Sequence, residues 1–97
     1  MALLLRQNGT AQHVAPDNGK HFILKELQDA VGGLVEVIKL KPKSQSKHNE
    51  HYILVAHEEA KFVESNTINH PATKIADIAP EDYVSGDVIL CKSSEVL

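Results

Sequence analysis

Two rhythms of apolar residues run along this chain. Residues 2–6 (ALLLR), 11–15 (AQHVA), 34–40 (LVEVIKL), 52–56 (YILVA) and 87–91 (DVILC) are alternating or continuous runs of Leu, Val, Ile and Ala, and they predict strands. From Ile23 onward the spacing lengthens. Leu24, Leu27 and Val31 recur at i, i+3 and i+7, with Lys25, Gln28 and Asp29 on other faces, as a short amphipathic helix requires. A second helix is predicted from Asn69, a capping residue, with Pro71 in its first turn. Ala72, Ile75, Ala76 and Ile78 or Ala79 supply its apolar side. "FVES" at 62–65 reads as a further short edge strand.

Turn chemistry separates these runs. Asn8-Gly9 suits a tight hairpin between the first two strands, and "APDNGK" at 15–20 ends the second. Gly32 is placed to close the first helix in a left-handed conformation, and Gly33 lets the chain reverse without a Cβ clash. A phosphate loop is a poor fit to this pair, because its glycines would precede a helix N-terminus rather than follow a helix. Residues 34–40 and 52–56 pair as a central hairpin across the polar segment 41–50, which is expected to be a mobile loop. "HEEAK" at 57–61 is a turn, "APEDYVSG" breaks the second helix, and "KSSEVL" at 92–97 is expected to be a frayed tail. The order β-β-α-β-β-(β)-α-β predicts an α+β fold, a small mostly antiparallel sheet with two short helices, as one domain over 1–97 with its core in 2–91.

Composition narrows the function. Ninety-seven residues support one core, which is aliphatic, with four aromatic residues and no Trp. Thirteen acidic against ten basic side chains give a net charge of −3, without the basic excess of a dedicated nucleic-acid binder. One cysteine, Cys91, rules out an internal disulfide framework and fits a reducing compartment. The short apolar run before Arg6 is too brief for a signal peptide or a membrane span, so a soluble cytoplasmic protein is expected.

Candidate chemistry is sparse. His48 and His51 are spaced H-x-x-H, and His51 and His57 share one face of an extended strand. A metal site needs three or four convergent ligands, so His48, His51 and His57 are weak metal candidates and surface histidines are the preferred reading. Cys91, set in "VILCK", reads as a core residue rather than a nucleophile. Glu58-Glu59 and Glu81-Asp82 read as solvated turns rather than acid–base pairs. Lys39, Lys41, Lys43 and Lys47 with His48 form the densest basic segment, a candidate for phosphate contact that lacks interleaved aromatics for base stacking. No nucleotide, cofactor or catalytic motif is present, so no cofactor and no enzymatic activity are expected.

The stretches "FILKELQDAVGGLVEVIKL" (22–40), "YILVAHEEAKF" (52–62), "NHPAT" (69–73) and "SGDVILC" (85–91) resemble an uncharacterised family of phages and bacteria, domain of unknown function 3846. The likeness spans roughly residues 20–91. In that family a helix ends in a Val-Gly-Gly-like step before a strand, a "NEEGK"-like turn and an N-x-x-A-T helix start follow, and a "GDVIV"-like strand closes the domain. Here the 41–50 segment is longer and Lys-rich, Ala60 takes the turn glycine's place, and Ile23 stands where a capping Ser or Thr is expected. The resemblance implies a small accessory role in a phage or mobile-element setting and carries no catalytic residues.

Strands 34–40, 52–56 and 87–91 are apolar on both faces, whereas two short helices are expected to cover one. The uncovered face then calls for the N-terminal hairpin or another subunit. The leading expectation is a non-enzymatic binding or adaptor domain acting through a protein partner, itself in a homodimer or a host factor. The alternative is a binder of a small anionic ligand or nucleotide through the Lys-rich segment.

Overall fold

The computed structural model describes residues 2–44 and 51–96. Five strands, β1 (Ala2–Leu5), β2 (Ala11–Val14), β3 (Val35–Lys39), β4 (Tyr52–His57) and β5 (Val88–Lys92), form one antiparallel sheet in the order β2-β1-β5-β4-β3. Helices α1 (Leu24–Val31) and α2 (His70–Ile75) complete the α+β fold. The β3–β4 hairpin forms as expected, yet it is not central. β5 takes the middle, because Val88, Ile89 and Cys91 are apolar and buried on both faces, while β3 carries Glu36 and Lys39 and lies at the edge.

Strand alternation splits the core in two. Leu5, Leu40, Leu54, Ala56 and Val88 face α2 with Ala72, Ala76 and Val84; Ala2, Ile53, Val55, Ile89 and Cys91 face α1 with Phe22 and Leu27. The helices therefore lie on opposite faces, one each, which corrects the expectation that both would cover the same face. The centre of each face is thus covered from within the chain, without a second subunit.

α1 buries Leu27 and Val31, but Leu24 is 58% exposed, because Phe22, just before the helix, fills the space over the sheet that Leu24 was expected to occupy. Ile23 cannot accept a capping bond. Instead the Glu26 carboxylate accepts from the backbone N–H groups of Ile23 and Asp17 (both 3.0 Å), and these two bonds, that of Ile23 foremost, hold its pKa below the ordinary carboxylate value. Gly32 closes the helix at φ 97°, donating to the Gln28 carbonyl at 2.8 Å. Gly33 has a different reason to be glycine: a Cβ there would sit 2.3 Å from His57 Nε2, so the imidazole packs on bare backbone. The β1–β2 hairpin turns through Gln7, Asn8 and Gly9, with Gly9 at φ 93° and the Asn8 side chain accepting from Thr10 N and Oγ1 at 3.0 and 2.7 Å.

Two segments differ from expectation. Residues 62–65 form no strand; a 3₁₀ turn, Ala60–Phe62, takes the chain around instead. Residues 92–96, expected to fray, are docked: Lys92 extends β5, Ser93–Glu95 is a 3₁₀ turn, and the Glu95 carbonyl accepts from Phe22 N at 2.6 Å, setting Val96 beside Phe22 over the α1 core. Of the segment expected to be a mobile loop, Pro42–Ser44 is a 3₁₀ turn and 45–50 lie outside the described residues.

Asn69 is fully buried at the N-terminus of α2. Its Oδ1 caps the helix by accepting from Ala72 N (3.2 Å), with Pro71 following in the first turn, while Nδ2 donates to the carbonyls of Leu5 (2.9 Å) and Gly86 (2.8 Å). Asn69→Ala removes the cap and strands two carbonyls, and is expected to cost roughly 2–4 kcal/mol in urea denaturation. Asn69→Asp keeps an equally good cap but turns a carboxylate toward both carbonyls, so it is expected to be no better than Ala. An Asp variant of native stability would reduce Asn69 to a capping residue.

Candidate functional site

The edge strand β3 offers the first feature of the site. The Lys39 carbonyl accepts from Asp77 N (2.8 Å) and Lys41 N donates to the Ile75 carbonyl (2.9 Å), so the odd-numbered residues of β3 aim their backbone polar groups away from β4. Glu36 and Ile38 face Ala56 and Leu54 of β4 instead. The chain after α2 covers this edge only at its far end. Among the described residues, the N–H and C=O of Val35 and Val37 have no partner, and the edge here is open. Its side chains are apolar and exposed: Val37 at 57% and the neighbouring Leu34 at 61%.

A cleft of about 290 Å³ lies beside this edge, on the α2 face. Ile38, Ala56, Ile78 and Val84 give it apolar walls, and Phe62 and Tyr83 bring in aromatic rings. The 3₁₀ turn at Ala60–Phe62 carries Phe62 out into solvent at 86% exposure, because the small Ala60 takes the buried position beneath it. Lys61 of the same turn is ion-paired to Asp82, with its ammonium 4.6 Å from the centre of the Tyr83 ring. The hydrogen bond between Lys61 and Asp82 raises the lysine pKa and lowers that of the carboxyl, which also accepts from Tyr83 N at 2.8 Å. Both groups are exposed, so this pair orients the turn more than it stabilises the fold.

Two further carboxylates line the cleft. Glu36 comes from β3 and Glu58 directly follows β4; both are exposed, and among the described residues neither carboxylate has a hydrogen-bonded or ion-paired partner. Three carboxylates, Glu36, Glu58 and Asp82, and one ammonium, that of Lys61, line the cleft, an excess of two negative charges, and the Glu36 charge is among those that raise the Lys61 pKa.

The basic segment lies elsewhere. Lys39 is exposed on β3, Lys41 is half-buried, Lys43 is exposed in the Pro42–Ser44 turn, and none of the three lines the cleft. Lys47 and His48 lie outside the described residues. His51 and His57 stand at opposite ends of β4, separated by roughly 20 Å of extended chain. No group of three or more metal-ligating side chains occurs among the described residues. His57, packed against Gly33, has its Nδ1 buried without a partner. No helix among the described residues is long and apolar enough to cross a membrane.

Sequence reasoning does not find the cleft, since its walls come from residues 36, 38, 56–58, 60–62, 78 and 82–85, far apart along the chain. One signal was available: Glu36 and Lys39 interrupting an apolar run mark an edge strand. Comparison with protein-family models, with curated proteins and with solved structures gives no match to this chain.

Cys91 is fully buried, and its thiol is pushed up to about 11, by burial first and by the Glu95 charge second. Since the folded value exceeds the unfolded one, this thiol's contribution to stability is complete below the unfolded pKa and is lost as pH rises toward the folded one. A thiol raised to about 11 carries roughly a hundredfold less thiolate than a free one, so at pH about 8 a thiol-reactive dye is expected to label the native protein at least that much more slowly than the urea-unfolded chain.

Proposed function

We propose that this protein is a non-enzymatic binding module that captures another protein by adding an extended segment of it to the open edge of β3. The observation that supports this reading is the pair of unpartnered backbone groups at Val35 and Val37, flanked by exposed apolar side chains and an open cleft. Main-chain hydrogen bonds along such an edge supply affinity, and pockets for alternate side chains supply selection. The phage or mobile-element setting and the cytoplasmic location belong to the same proposal, whose weight rests on the edge.

A homodimer is the weaker form of this reading. The two-fold pairing that uses the free groups of both Val35 and Val37 sets Val35 against Val37 of a second copy, and in that register Glu36 lies opposite its own symmetry mate. Like charges directly opposed in neighbouring strands are destabilising. A different protein avoids that conflict.

The alternative, a nucleotide or other small anion held by Lys39, Lys41 and Lys43, has one observation in its favour: among the described residues none of these side chains is ion-paired.

A displayed library of short random peptides tests the edge. Wild-type protein is expected to enrich extended peptides, and Val37→Pro to lose them, because proline removes an outward N–H that the sheet itself does not use and is tolerated on such an edge. The double variant Lys41→Ala/Lys43→Ala is expected to bind them unchanged. Failure to enrich any peptide, or equal binding by a Val37→Pro protein whose circular dichroism matches wild type, overturns the reading; loss of binding in the lysine variant instead moves the site to the basic segment.

A further inference from the structure

The cleft beside β3 limits the chemistry of the segment that the edge can take, an inference that rests on the edge reading above. We infer that the partner segment is basic and extended, placing a Lys or Arg side chain in the cleft between Glu36 and Glu58 with its aliphatic stem against Phe62. A strand laid along Val35–Val37 stands about 4.8 Å from β3 and alternates its side chains between the two faces of the sheet. Those on the α2 face fall next to Glu36, at the mouth of the cleft.

Three properties of the cleft select a cation with an apolar stem. Glu36 and Glu58 supply two carboxylates with no ion-paired partner among the described residues, whereas Asp82 is ion-paired to Lys61, whose charge reaches Glu36 only at longer range. Phe62, 86% exposed, presents a ring that a methylene stem can cover while the charged head reaches a carboxylate. Tyr83 already holds one ammonium, that of Lys61, at 4.6 Å from its centroid, so this wall accommodates a cation over an aromatic face. An acidic or uncharged segment would make the same backbone bonds but meet unpaired carboxylates. On the α1 face the same strand would set its other side chains beside Val35 and Val37, which favours apolar residues alternating with the basic ones.

Fluorescence polarisation with two labelled peptides separates this inference from the reading beneath it, one alternating Lys with Val and the other Glu with Val. The Lys–Val peptide is expected to bind wild-type protein at least about tenfold more tightly than the Glu–Val peptide, with an affinity that falls as salt is added. Glu36→Gln with Glu58→Gln, both at exposed positions, is expected to weaken the Lys–Val peptide about fivefold while the melting temperature stays close to wild type. Val37→Pro is expected to abolish binding of both. If the two peptides bind equally and both are lost in Val37→Pro, the edge stands and the basic preference is overturned. If the Lys–Val peptide binds Val37→Pro as well as wild type, the attraction is one of charge alone and both are overturned; binding of neither peptide to wild-type protein does the same.

Discussion

One buried amide holds the two halves of this molecule in register. Asn69 caps α2 with its oxygen and, with its nitrogen, ties the end of β1 to the turn that leads into β5. Those three segments are adjacent in space but lie more than sixty residues apart along the chain at the extremes. A side chain with both a donor and an acceptor is required there, since the carbonyls of Leu5 and Gly86 need protons while Ala72 N needs an acceptor. The same residue receives help from Thr73, whose hydroxyl donates to the Asn69 carbonyl at 2.8 Å and accepts from Val84 N at 2.9 Å. The position of the loop carrying Val84, Tyr83 and Asp82 therefore follows from α2, and one wall of the cleft follows from that loop.

The division of the helices between the two sheet faces decides what is left for function. The centre of each face is covered from within, by α1, Phe22 and Val96 on one side and by α2 and the loop after it on the other. What stays open lies at the rims of the sheet, along β2 and along β3. The polypeptide after α2 crosses the β3 edge at Lys39 and Lys41 and then departs, leaving Val35 and Val37 uncovered with the cleft alongside. The aliphatic core therefore holds the sheet, while the aromatic, carboxylate and backbone groups at its rim, on which the proposed recognition rests, are not used in the core.

Strands were legible because burial on alternate or both faces leaves a direct imprint on spacing, and the Asn8-Gly9 turn, the Gly32 helix end and the Asn69–Pro71 helix start were legible because each relies on one residue's local chemistry. What escaped depended on partners distant in the chain. Phe22 displaces Leu24 from the core only because the C-terminal segment supplies Glu95 and Val96 to hold it. Glu26 caps α1 from within, which the Glu three places after Ile23 could have suggested, though its second bond, to Asp17, could not be read locally. The placement of one helix per face is set by the handedness of two connections, and hydrophobic periodicity carries no record of which side a helix takes.

Because β5 follows the other four described strands and is central in the sheet, neither hairpin that precedes it can find its final neighbour until residues 88–92 are in place. The β1–β2 and β3–β4 pairs must wait as separate ribbons, each with an exposed strand edge, and then close simultaneously on the arriving strand. Joining sequence-distant partners through one strand raises the contact order, which slows folding for a domain of this size.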